Sequence, residues 1–190
     1  MEKLDVDKKT TALVVIDLQK GIASRSTVPH DGKTVVANAA KLANAFRAHG
    51  MPVFLVHVSS TGADRLNPVT DEKWTMPANM PSDWNEFVDE MKPKESDIVI
   101  TKKQWGAFYG TELDLQLRRR GMRTIVLCGI ATNYGVESTA RFAYEYGYQQ
   151  LFPEDAMSGM SEEAHNASVN FVLKRMGRVR TTDEIIRALG

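Results

Sequence analysis

Thr124-Ile-Val-Leu-Cys-Gly-Ile-Ala-Thr-Asn-Tyr-Gly-Val136 decides the fold. Thr124 to Cys128 is an unbroken β-forming run, which marks a strand buried on both faces. Gly129 to Val136 then opens a helix, Tyr134 to Tyr146, closed by Gly147. A buried strand that feeds straight into a helix is the repeating unit of a parallel sheet, because parallel strands need crossover connections.

The same unit recurs on both sides. Thr11-Ala-Leu-Val-Val-Ile-Asp17 is a buried strand that ends in a carboxylate. Lys33 to His49 carries Val36, Ala39, Ala40, Ala43 and Phe46 at helical spacing, with Gly50 as its stop. Pro52 to Val58 and Asp97 to Thr101 are the second and third strands. Thr111 to Arg120 is a helix closed by Gly121. Tyr148 to Phe152 is a fifth strand, and Ser161 to Met176 a helix with Ser161 as N-cap and Glu162 and Glu163 at its positive end. Val179 to Thr181 is a short sixth strand before a last helix, Asp183 to Leu189. The sum is an α/β fold, an open and doubly wound three-layer α/β/α sandwich of five or six parallel strands.

The chain's 190 residues suit one domain, 1–190. The exception to the regular alternation is 59–93, with Pro68, Pro77, Pro81 and Pro93 and one short helix around Trp84 to Met91. An insertion of that length reads as a lid or an oligomerisation arm. Lys+Arg and Asp+Glu balance at 24 each, which argues against nucleic-acid or membrane-surface binding by bulk charge. No apolar run approaches the ~20 residues of a membrane span, and Met1 to Thr10 has no signal-peptide core. A single cysteine excludes an intramolecular disulfide and a Cys-rich metal site. These features predict a cytoplasmic protein.

In an open α/β sheet, ligands bind beyond the carboxyl ends of the strands. Asp17 ends the first strand, with Gln19 just beyond. Lys102 and Lys103 end the third. The fourth runs into the helix start at Gly129 to Val136, whose backbone N–H groups suit an anion or oxyanion. On spacing alone, the commoner reading of a terminal Asp or Lys is a solvated strand end.

Three stretches resemble the isochorismatase-like hydrolases, a superfamily that includes nicotinamidases and other Cys-dependent amidohydrolases. They are Leu13-Val-Val-Ile-Asp-Leu-Gln19, Lys102-Lys-Gln-Trp-Gly-Ala-Phe-Tyr-Gly-Thr111 and Val126-Leu-Cys-Gly-Ile-Ala-Thr-Asn-Tyr-Gly-Val-Glu-Ser-Thr-Ala-Arg141. They stand in the family's order and spacing, and the resemblance covers nearly the whole chain. It implies a six-stranded parallel sheet and a triad of Asp, Lys and Cys. Asp17 matches the Asp. Lys102, four residues before Gly106-Ala107-Phe108, matches the Lys. The nucleophile position is Gly135, so the thiol is absent. The resemblance also implies a non-proline cis peptide between Ile130 and Ala131, at the oxyanion-binding turn.

Without a thiolate there is no acyl-enzyme route. The lone Cys128 lies inside the fourth strand, where a buried thiol is inert. The four histidines, His30, His49, His57 and His165, lack the metal pattern of the nicotinamidases, and His57 inside the second strand reads as structural. We therefore expect no metal and no cofactor. Members without the Cys hydrolyse isochorismate, a vinyl ether, by protonating its methylene carbon. Asp17 would be the acid, its pKa raised by burial and opposed by Lys102. Lys102 alternatively holds a substrate carboxylate, and the missing side chain at Gly135 makes room for a bulkier substrate. Trp105, Phe108, Tyr109 and Tyr134 either line a pocket for a ring substrate or pack beneath the insertion. Arg118 to Arg120 read as a solvated face or an oligomer contact, and Arg141 as a salt bridge, dimer contact or substrate ligand. The expected partners are a small-molecule substrate and further copies of the chain in a homo-oligomer, a dimer or larger. The alternative is a catalytically degenerate member that binds a small molecule without turnover.

Overall fold

All six residues of β1, Thr11–Ile16, are buried, because each one meets a neighbour on both edges and a helix layer on both faces. The computed structural model describes residues 4–59, 68–72 and 80–190. β1 is flanked by β2 (Val53–Val58) and β4 (Thr124–Ile130). β3 (Ile98–Lys102) lies outside β2, and β5 (Gln149–Pro153) and β7 (Arg178–Arg180) lie outside β4. The order is β3-β2-β1-β4-β5-β7 and every pairing is parallel. A two-residue strand the sequence does not announce, β6 (Met157–Ser158), pairs with the end of β4.

The strand order turns back between β3 and β4. Right-handed crossovers then put the helix between β1 and β2 on one face and the helices between β3 and β7 on the other. The first is α2, Gly32–Ala48, whose Val35, Ala39, Leu42, Ala43 and Phe46 are fully buried and whose N-cap Asp31 accepts from Thr34 N–H at 2.7 Å. It packs against the last helix, α7 (Thr182–Leu189). The other face carries α3 (Leu113–Arg119), α4 (Glu137–Glu145) and a long segment, α5 (Glu162–Ala167) and α6 (Lys174–Met176) joined by a π turn, Ser168–Leu173.

Three boundaries differ from the sequence reading in ways that matter. β3 runs one residue further and includes Lys102, and β4 runs two further, to Ile130. The helix expected from Tyr134 begins at Thr132 with a wide π turn, Thr132–Val136, before α4. Beyond β1 a short helix, α1 (Lys20–Ala23), was not foreseen.

The expected helix around Trp84 to Met91 is not formed. That stretch is a strap that begins in turns, with Trp84 N–H donating to Pro81 O and Glu86 N–H to Asp83 O at 3.0 Å each, and that is then tied by backbone bonds to the segment after β1. Lys20 N–H donates to Glu86 O at 2.8 Å, Gly21 N–H to Trp84 O at 3.0 Å and Val88 N–H to Leu18 O at 3.1 Å. Asp89–Met91 alone forms a 3-10 helix within it. The lid or arm expected at 59–93 falls partly on 60–67 and 73–79, outside the described residues.

Candidate active site

Asp17 is the first residue past β1. Its backbone takes the left-handed conformation, φ 54°, which Asp tolerates better than most residues. Its N–H donates to Val56 O at 2.8 Å, so the bend is fixed against β2. Lys102 ends β3, two strands away, and its register partner on β2 is Val58. The long lysine stem crosses the end of β2 to reach Asp17. Lys102 Nζ lies 2.7 Å from Asp17 Oδ2 and donates to Gln104 O at 2.9 Å. The residues are 4% and 2% exposed, so the pair is buried.

Burial pushes the Asp17 carboxyl above the usual carboxylate range; the charge and hydrogen bond of Lys102, and to a lesser degree His57, pull against it. The two oxygens differ. Oδ2 faces Lys102, whereas Oδ1 is buried with no hydrogen-bond partner among the described residues.

The π turn Thr132–Val136 brings Gly135 to the same place. A Cβ built on Gly135 would stand 2.9 Å from Ile16 Cγ2, 3.2 Å from Asp17 Oδ2 and 3.5 Å from Trp105 O. Asp17, Lys102 and Gly135 therefore converge. That distance also corrects one expectation: the space left by the missing side chain is taken by Ile16 and the Asp17 carboxylate. The Ile130–Ala131 peptide is cis, and Ala131 O accepts from the N–H groups of Tyr134 and Val136 at 3.1 and 3.2 Å.

The other sequence-derived positions divide. Trp105 is 62% exposed, and its ring meets Tyr134 edge-on at 4.9 Å, beside Gly135. Tyr109 is exposed. Phe108 is buried, stacked on Tyr148 and edge-on to Tyr146. Gln19 is fully buried and spent on backbone groups: its amide donates to Val58 O (3.2 Å) and Trp84 O (3.3 Å), and its carbonyl accepts from Val58 N–H (2.9 Å). It clamps the strap to the sheet. Lys102 spends two of its three N–H donors on Asp17 and Gln104.

His57 bonds Asn85 O and Thr101 Oγ1, both at 2.8 Å. Cys128 is fully buried, and desolvation pushes its thiol far up, away from the reactive thiolate. Arg141 pairs with Glu137 at 2.9 Å. Arg118 pairs with Asp114 at 3.2 Å and lies over the Tyr148 ring. Among the described residues no three His, Cys, Asp or Glu side chains are arranged to hold a metal ion, and no helix is long and apolar enough to cross a membrane.

One cluster escaped the sequence reading. His165, His30, Glu154 and Thr132 meet at the strand ends next to the π turn. The available signal was the place of His165 on a helix face with Ser168 and Val169, all buried.

Residues 11–184 match the isochorismatase domain. The chain is 53% identical over 193 residues to the isochorismatase family protein YwoC of Bacillus subtilis, covering 98% of this chain and 97% of that one. It is 30% identical to the ureidoacrylate amidohydrolase RutB of Variovorax paradoxus, over 98% of this chain and 84% of that one. Its structure superposes with a TM-score of 0.92 on an isochorismatase family protein from Burkholderia thailandensis, at 45% identity and over 97% of both chains.

Proposed function

The chain belongs to the isochorismatase family, a family of hydrolases, and we propose that it hydrolyses a small anionic substrate of vinyl-ether type with Asp17 as the acid. The observation that carries this reading is the unequal environment of the two Asp17 oxygens. Lys102 donates to Oδ2, so a proton held by the carboxyl belongs on Oδ1, the oxygen without a partner among the described residues. Burial keeps that proton in place toward neutral pH. Two further facts support it: Gly135 offers no nucleophile beside Asp17, and the buried Cys128 cannot stand in for one.

The chemistry then balances without a covalent enzyme intermediate. Asp17 protonates the enol-ether methylene carbon, and that carbon becomes a methyl group. Water adds to the oxocarbenium ion and returns its proton to the Asp17 carboxylate. The hemiketal collapses; with isochorismate the products are pyruvate and a dihydroxycyclohexadiene acid. The family resemblance supplies the anionic substrate class. The same reading includes a cytoplasmic homo-oligomer that acts without metal or cofactor.

Isochorismate hydrolysed in water enriched in 18O tests the route. Water adds to the enolpyruvyl carbon after protonation, so a ring hydroxyl free of 18O is the expected result. An 18O atom in the ring hydroxyl would show cleavage at the ring carbon and rule out the protonation route. A second reading, binding of a small molecule without turnover, is favoured by one observation: Asp17 and Lys102 are almost wholly covered. It predicts retained ligand and no product over a long incubation.

A further inference from the structure

Four chain segments meet on one buried imidazole. His165, on α5, is fully buried. Its Nε2 lies 3.0 Å from Glu154 Oε1, and its Nδ1 lies 2.8 Å from Thr132 Oγ1. The same Glu154 oxygen lies 2.8 Å from Nε2 of His30. The His30 carbonyl accepts from Ser158 Oγ at 2.7 Å and from Thr27 Oγ1 at 2.8 Å. The cluster thus ties the segment after α1, the ends of β4 and β5 and α5 into one unit, which β6 joins through Ser158.

Donor and acceptor counting assigns the hydrogens. An ionised carboxylate only accepts, so Nε2 of His165 carries its hydrogen toward Glu154. Hydrogen bonds from the two histidines hold the Glu154 carboxyl below the usual carboxylate range, in keeping with an ionised acceptor. Nδ1 of His165 is then the acceptor, and the Thr132 hydroxyl donates to it. This arrangement leaves no buried hydrogen unmatched. A hydrogen on both imidazole nitrogens would make Nδ1 a donor and leave the Thr132 hydroxyl hydrogen without an acceptor among the described residues.

Thr132 is the first residue of the π turn, and Gly135 stands three residues on, beside Asp17. We infer that His165 is a positioning residue of the candidate site. Fixed as the Nε2–H tautomer by Glu154, it holds the Thr132 hydroxyl and thereby the turn that sets Gly135 against Asp17. The inference rests on Asp17 and Gly135 forming the site and not on the reaction performed there. A relay that runs through a fully buried imidazole is fixed only when each member is matched, so loss of one member is felt by the others.

The test uses the full chain and reads no turnover. Side-chain 1H–15N correlation spectra of the 15N-labelled protein resolve four histidines, and His165→Gln identifies the His165 signals. The expected pattern is Nε2–H with Nδ1 as a hydrogen-bond acceptor. Thr132→Val, close in volume and lacking the hydroxyl, shifts the Nδ1 signal, and Thr132→Ser restores it. The second readout is the 19F signal of 5-fluorotryptophan at Trp105, which packs on Tyr134 of the same turn and is assigned with Trp105→Phe. It moves in Thr132→Val and returns in Thr132→Ser. A His165 found as Nδ1–H, or with both nitrogens protonated at neutral pH, overturns the tautomer. An unmoved Trp105 signal in Thr132→Val overturns the coupling to the site. Failure of Asp17 as an acid would show separately, as product release indifferent to Asp17.

Discussion

At the scale of single residues, burial decides what each reactive group can do. Asp17 and Cys128 are both covered, with opposite consequences. Desolvation favours the neutral form of each. A neutral carboxyl is a proton donor, whereas a neutral thiol is a poor nucleophile. Native protein is therefore expected to resist modification of Cys128 by a small thiol reagent at neutral pH, and unfolded protein to react at once; fast labelling of the native chain would contradict the site as described. Asp17, Lys102 and Gly135 were legible in the sequence, because each stands at a strand end or helix start that short motifs mark. Gln19 and Phe108 were not, although their positions were found. Their partners, Val58, Trp84, Tyr146 and Tyr148, are 38 or more residues away along the chain in every case, so side-chain direction could not be read locally.

At the scale of elements, the strap and the π turn shape the site. The strap at 83–91 is fastened to the sheet by backbone bonds to 18–21, by the Gln19 side chain and by Lys20, which lies 2.8 Å from Asp83 and 2.9 Å from Glu86. The Lys20 pairs are solvent-exposed and contribute little. Gln19 is buried, and its loss strands Val58 N–H and two carbonyls. Gln19→Ala is expected to cost about 1–3 kcal/mol in denaturant titration and to speed amide exchange at Glu86 to Val88 before the sheet itself. Equal acceleration across β1 and the strap would show that Gln19 is not their specific clamp. Sequence periodicity placed the strands well, since continuous apolar runs have few alternatives. It misread the strap as a helix because the competing backbone partners, Leu18, Lys20 and Gly21, lie more than sixty residues earlier. The π turn inside a helical pattern was equally invisible, and the Gly135 register depends on it.

At the scale of the whole molecule, one sheet gathers charges from distant segments at its carboxyl edge. Glu154 ties His30 and His165 there. Its folded pKa is depressed, so its contribution to stability is complete above the ordinary carboxylate value and is lost as pH falls through the folded value. Glu154→Gln is expected to be less stable than the parent at neutral pH, with the difference narrowing on acidification below about pH 4.5. A gap that stays constant with pH would mean that Glu154 is not the linked group. Asp17 works in the other direction, since its raised pKa makes the ionised form a cost that acid removes. The doubly wound architecture followed from the strand–helix alternation. The His165 cluster did not, because it assembles four segments that only the closed sheet brings together.

The central claim is that Asp17 donates the proton. Asn accepts the left-handed backbone as Asp does and retains an oxygen for Lys102, so Asp17→Asn removes the acid while preserving the backbone geometry. The decisive measurement is pyruvate release from isochorismate by the purified parent and by Asp17→Asn, followed across pH. The account predicts release by the parent that declines as pH rises through the raised Asp17 pKa, and a loss of at least about 100-fold in the variant. Release that is equal in the two proteins, or absent from the parent, would contradict it.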